Sequence, residues 1–181
     1  MYQYFEGSEN SFRTILSIDI GGKNTCMTVS TIEEDYIYVR SLFIGSVDGL
    51  NPESMANVFS TIKEWILLYK VTFCVVEKQL EAKNGRSNHQ MLVNKYIEGA
   101  ICGFVAAFGI DIYAYPAALR GQHLRAHYKG NKKGIKALSK AYVNDLDIVY
   151  DNLFSEYFDK QKKRDDIYDS IAQAVLYCYH K

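Results

Sequence analysis

Residues 13–20 form a mainly apolar run, Thr14-Ile15-Leu16-Ser17-Ile18-Asp19 within it, that reads as a strand closed by the turn Gly21-Gly22-Lys23-Asn24. A second strand follows over 24–31, and a third over 35–44, rich in Tyr, Ile, Val and Phe. Three strands joined by short turns predict an antiparallel meander. The period then changes to 3.6: Met55, Val58, Phe59, Ile62, Trp65, Ile66 and Tyr69 mark one helical face, started by Asn51-Pro52-Glu53. Val71 to Glu77 is apolar almost throughout, the mark of a strand covered on both faces. A second helix is expected over 89–108, where Leu92, Tyr96, Gly99, Gly103 and Ala106 would permit close packing and Gly109 would stop it. Ile110 to Tyr115 reads as a fifth strand closed by Pro116, and residues 117–150 as a basic helical region. The stripe Ile167, Ile171, Ala174, Val175 and Cys178 belongs to a last helix. The expected fold is α/β: one domain over 1–181, a mixed five-stranded sheet with its first three strands antiparallel and the rest parallel, flanked by helices. Residues 1–12 form a short N-terminal extension, and no internal repeat or second domain is visible.

Composition agrees with an ordinary folded domain: 181 residues, 48% apolar, with two prolines. The four cysteines (Cys26, Cys74, Cys102, Cys178) lack CxxC pairing and lie in apolar runs. They are expected as buried thiols in a reducing compartment and not as a zinc site. No basic segment leads into an apolar stretch at the N-terminus, and Gly99 to Ile110 is about half the length of a membrane span. A soluble, intracellular protein without membrane contact is the expectation.

Net charge is zero, which on its face argues against nucleic acid, but the charges are segregated. Arg120, Arg125, Lys129, Lys132, Lys133, Lys136 and Lys140 follow one another without an acid between 119 and 141. Asp145, Asp147, Asp151, Glu156 and Asp159 come next, then Lys160, Lys162, Lys163 and Arg164. A basic run alone is equally well a solvated helix face.

The chemistry lies in the acids. Asp19 ends one apolar strand and Glu77 another, while Asp166 and Asp169 stand three apart at the start of the last helix and so share a face. Each has an ordinary alternative: Asp19 as a turn residue, Glu77 as a surface residue, and Asp165 or Asp166 as helix cap. Together, delivered by two strands and a packed helix, they point to an all-oxygen site for one or two Mg²⁺ ions, with Mn²⁺ able to substitute. Such a site suits phosphodiester cleavage, with a lysine nearby to offset charge on the phosphate.

Ile-Asp-Ile-Gly at 18–21, Val-Val-Glu-Lys-Gln at 75–79 and Lys-Arg-Asp-Asp-Ile-Tyr-Asp-Ser at 163–170 resemble the Holliday junction resolvases of poxviruses, which are similar to bacterial RuvC and belong to the ribonuclease H-like superfamily. The resemblance implies that fold, metal ligation by Asp19, Glu77, Asp166 and Asp169, and a catalytic lysine, best matched by Lys133 with Lys132 and Lys136 open. The Asp-x-x-Asp spacing leaves Asp165 as a cap or outer group. The resemblance also implies branched DNA as substrate, a homodimer, no nucleotide cofactor, and a viral setting in the host cytoplasm. Candidate DNA contacts are Lys78, Arg86, Arg120, Arg125, Lys129, Lys132, Lys136, Lys163 and Arg164, and Tyr96 and Phe104 are candidates for either the dimer surface or the core. Two rival readings stand beside it. One is ribonuclease H action on RNA–DNA hybrids. The other is an actin-like phosphotransferase, suggested by Asp19 to Thr25 as a phosphate loop but opposed by the short chain and the lack of a second such loop.

Overall fold

Strand β1 (Arg13–Ile20) pairs antiparallel with β2 (Thr25–Glu33), and β2 with β3 (Tyr36–Gly45), so the expected meander is present. These observations come from a computed structural model that describes residues 13–21, 25–33, 36–47, 51–79, 89–129, 134–162 and 164–180. Helix α1 (Pro52–Tyr69) begins where the Asn51 side chain accepts from the Glu53 N–H, and it buries Met55, Val58, Ile62, Trp65 and Ile66. It leads into β4 (Phe73–Lys78), parallel to β1. Helix α2 (His89–Ala106) ends near Gly109, whose φ of +71° is the left-handed conformation expected of a C-terminal stop. β5 (Asp111–Pro116) then adds parallel to β4.

Beyond β5 the structure departs from expectation. Residues 117–150 are not one helical region. Helix α3 (Ala117–His127) and helix α4 (Ile135–Asp145) are followed by a sixth strand, β6 (Ile148–Tyr150), parallel to β3 at the opposite edge. The sheet order is therefore β5-β4-β1-β2-β3-β6, six strands where five were expected. Helix α5 (Asn152–Asp159) and helix α6 (Asp165–His180) complete the chain.

The sheet is covered on both faces, and strand alternation decides which side chain goes where. Leu16, Ile18, Met27, Cys74 and Val76 pack under α1 and α2. Ile15, Cys26 and Val75 pack under α3, α4 and α6, with Tyr115, Leu124, Leu138, Ile167, Ile171 and Val175. Cys26 and Cys74 are buried free thiols, and Cys102 and Cys178 are half-buried. No helix among the described residues is long and apolar enough to cross a membrane.

Helix α2 also reverses part of its expected role. Leu92 and Tyr96 are 48% and 66% exposed, and a Cβ added at Gly99 or Gly103 would touch nothing. The small residues face outward and do not pack within the chain. Phe104 does pack inward, stacked on Phe59 with ring centroids 4.6 Å apart.

Candidate active site

The site begins with the register of two strands. Ile18 of β1 stands beside Val76 of β4, so the next residues, Asp19 and Glu77, emerge side by side at the sheet edge. Both lie on the α6 face, since their neighbours two back, Ser17 and Val75, point there. Asp19 is buried (7% exposed) and stands beside Glu77 of the neighbouring strand. Burial and then the Glu77 carboxyl hold its pKa well above the usual carboxylate range, against the opposing pull of Arg120.

Helix α6 supplies the other pair, and a polar zipper fixes its height over the sheet. Ser17 Oγ donates to Ser170 O (2.8 Å) while Ser170 Oγ donates to Ser17 O (3.1 Å) and shares a hydrogen bond with Thr28 Oγ1 (2.9 Å). One turn on, Gln173 Nε2 lies 3.2 Å from Ser17 Oγ and 3.3 Å from both Ile18 O and Val75 O. These contacts tie the helix to the strands carrying Asp19 and Glu77, immediately below the acids. Asp169, next to Ser170, is 3% exposed. Burial raises its pKa, with Arg120, the Ser139 hydroxyl and Lys136 opposing. Asp165 is the first residue of the helix itself, and Asp166 the second.

Two cations enter this cluster. Arg120 was expected on DNA, but it is 4% exposed, and its guanidinium turns inward. Nη2 stands 3.2 Å from Asp169 Oδ2 and 3.5 Å from Glu77 Oε1, and Nη1 donates to Asp169 O at 3.4 Å. A buried guanidinium needs carboxylate partners, and here it finds the candidate ligands themselves. Lys136 Nζ donates to Asp166 Oδ1 at 3.2 Å and approaches Asp165 Oδ2 at 3.9 Å, with its side chain half exposed. Partial burial pulls its pKa down, but Asp166 foremost, then Asp169 and Asp165, leave it above its ordinary value. Cys26, under the acids, has its thiol pushed up by burial and by Asp19, Asp166 and Asp169.

Gln79 is a residue that sequence reasoning missed. Its Nε2 reaches Ile20 O (3.2 Å), Glu77 O (3.3 Å) and Glu77 Oε2 (3.4 Å), clamping the ends of β1 and β4 together. Its Oε1 accepts from Asn94 Nδ2 of α2, and its backbone N–H donates to Glu98 Oε2. The signals for Gln79, Ser17, Ser170 and Gln173 were polar residues inside or just beyond apolar runs.

Of the remaining expected DNA contacts, Lys78, Arg125 and Lys129 are exposed. Arg164 is turned toward its own neighbours, Gln161 O, Asp159 and the Phe158 ring. Arg86, Lys132, Lys133 and Lys163 lie outside the described residues.

Asp19, Glu77 and Asp169 thus lie together at the C-terminal ends of β1 and β4, with Asp166 beside Lys136 at the start of α6. Among the described residues no three Asp, Glu, His or Cys side chains stand as a ready-made cation cage. Their oxygens are turned to Arg120, to Lys136 and, for Asp19, to Glu77. The residues fit a hard divalent cation in chemistry: every donor is a carboxylate oxygen, and Asp169 Oδ1 is buried without a hydrogen-bond partner of good geometry.

A protein-family model described as Poxvirus A22 protein matches residues 13–181. No curated protein sequence matches the chain significantly. Among solved structures, Thermus thermophilus RuvC in complex with Holliday junction substrate is similar at a TM-score of 0.64 and 15% identity, covering 93% of this chain and 94% of that one. The Holliday junction resolvase of fowlpox virus is similar at 0.55 and 17%, covering 91% and 96%. That of yeast mitochondria is similar at 0.61 and 16%, covering 90% and 76%. The shared fold is that of the RuvC and ribonuclease H-like group, as the sequence motifs lead one to expect.

Proposed function

The chain belongs to the poxvirus A22 protein family, and from that premise we propose that it is a divalent-cation-dependent endonuclease resolving four-way (Holliday) and other branched DNA junctions by paired symmetric phosphodiester hydrolysis. The reading is supported by Asp19 and Glu77 at the ends of adjacent parallel strands, Asp169 joined to Glu77 through Arg120, and Asp166 at the start of the same packed helix. The solved proteins that share this fold across almost their whole length are described as Holliday junction resolvases or as RuvC bound to junction DNA, which supports the substrate class.

These four acids would hold Mg²⁺, with Mn²⁺ substituting. When bound, the cation lowers the pKa of a water and offsets charge on the phosphate. The chain's own part is positioning. Gln79 and Arg120 fix the two oxygens of Glu77, and the Ser17–Ser170–Gln173 zipper fixes Asp169 relative to Asp19. Lys136 sits at the solvent-facing side of the acids and stays charged at neutral pH, which suits an electrostatic partner for the scissile phosphate. Lys133 and Lys132 remain candidates beside it. Lys78, Arg125 and Lys129, with Arg86, Lys132 and Lys163, would follow the DNA backbone, reading shape and charge more than base edges.

Paired cuts need two sites related by a twofold axis. The outward stripe of α2, Leu92, Tyr96, Gly99 and Gly103, offers an apolar, side-chain-poor face on which a second copy could sit. The family being viral, the host cytoplasm is the proposed setting.

Cleavage of a synthetic four-way junction in Mg²⁺, beside a plain duplex and an RNA–DNA hybrid, tests the reading. Symmetric paired nicks in the junction are expected, from protein sedimenting at twice the chain mass. Asp19→Asn, Glu77→Gln, Asp166→Asn and Asp169→Asn should each cut at least about a hundredfold more slowly while still binding the junction. Preference for the hybrid, or cleavage that survives in all four variants, would overturn it.

A further inference from the structure

We infer that Arg120 is a positioning residue that acts as the built-in counter-cation of the acid cluster, holding Glu77 and Asp169 and competing with the divalent cation for them. The inference rests on the metal-dependent reading of the site and adds to it a residue that sets affinity.

The geometry is direct. One guanidinium nitrogen lies between Asp169 Oδ2 at 3.2 Å and Glu77 Oε1 at 3.5 Å, and so spans acids carried by α6 and β4. Both contacts are at the long end of the hydrogen-bond range, and Nε is buried without a partner. Arg120 is therefore held by charge more than by directed hydrogen bonds, the kind of hold a competing cation can loosen. The backbone has less freedom. A Cβ at the next residue, Gly121, would come within 2.9 Å of Ile135 Cδ1, so α3 is pressed against α4 and the guanidinium is anchored at its base.

Charge balance sets the sense of the effect. Among the described residues, the carboxyls of Asp19, Glu77, Asp165, Asp166 and Asp169 stand around two side-chain cations, Arg120 and Lys136. The acids outnumber the cations, and a divalent ion would make up part of the difference. Without Arg120 the deficit grows by one, and each divalent ion is drawn in more strongly because a nearby unit charge in partly buried surroundings is worth several-fold in affinity.

Mn²⁺ titration of the full-length, DNA-free protein, followed calorimetrically and by the loss of the free-ion EPR signal, provides the test. Wild type is expected to take up Mn²⁺. Arg120→Met is expected to bind it roughly tenfold or more tightly, and to melt at a lower temperature in EDTA. Arg120→Lys, which keeps the charge, should keep near wild-type Mn²⁺ affinity. Equal or weaker Mn²⁺ binding by Arg120→Met, with wild type binding normally, overturns the role of Arg120 and leaves the metal-dependent reading standing. Wild type that binds no Mn²⁺ overturns both. Should the methionine variant fail to fold without metal, refolding on addition of Mn²⁺ supports the competition, and failure to refold overturns it.

Discussion

Asp19 is an acid that the fold buries beside another acid, so its ionisation works against folding until a cation arrives. Its raised pKa means that the native state keeps a proton which the unfolded chain has released, starting near pH 3.8, the usual value. The sign follows: the native state binds more protons than the unfolded state above that pH, so stability is lost as pH rises toward the native pKa. Asp169, raised mainly by burial, shifts in the same direction. In EDTA at pH 8, Asp19→Asn should be more stable than wild type by about 1–2 kcal/mol, a rise in Tm of roughly 2–8 °C. The difference should close below about pH 4, where the wild-type carboxyl is neutral in both states. Equal or lower Tm for the variant across that range would show that Asp19 is not held in this way. The acids were legible in the sequence because each ends an apolar run or opens an apolar helix. Arg120 was not. In the chain it is simply the first of a basic series, and only the inward turn of α3 after Pro116 distinguishes it from Arg125, which is exposed.

At the level of elements, α6 matters as a lever whose height over β1, β2 and β4 places Asp166 and Asp169. Gln173 is 0% exposed and its amide is shared by β1 and β4. Gln173→Leu keeps the volume and removes the donor. The expected cost is about 1–2 kcal/mol of stability, with junction cleavage at least about tenfold slower and junction binding unchanged. A variant that lost stability but cleaved at the wild-type rate would reduce the zipper to packing. The main elements could be read in advance because their periods are clean: the strands over β1 to β5, the 3.6-residue stripe of α1, the apolar stripe of α6. β6 could not, since three residues between Asp147 and Asp151 carry too short a pattern and form a strand only because the edge of β3 is open there. Helix α5 escaped for a similar reason. One buried residue, Phe154, and the Asp151 cap define it, and both became visible only against β3. The outward placement of the α2 glycines was not legible, because small residues signal close approach without saying by what.

Taken as a whole molecule, the chain joins an antiparallel half to a parallel half, and the acids stand where the parallel strands end, the edge at which open α/β sheets keep their sites. A net charge of zero conceals this arrangement, with cations of α3 and α4 close to the acids they partly balance. Mixed strand order and two-sided burial followed from the sequence pattern, whereas the internal pairing of the acids with Arg120 and Lys136 depends on distances that no spacing encodes. The central proposal is one divalent-cation site formed by the acids. Anomalous diffraction from crystals soaked in Mn²⁺ measures that directly: the strongest peak should lie among Asp19, Glu77, Asp166 and Asp169, with carboxylate oxygens about 2.0–2.3 Å away. Ordered acids still turned to Arg120 and Lys136, with no peak among them at saturating Mn²⁺, would contradict it.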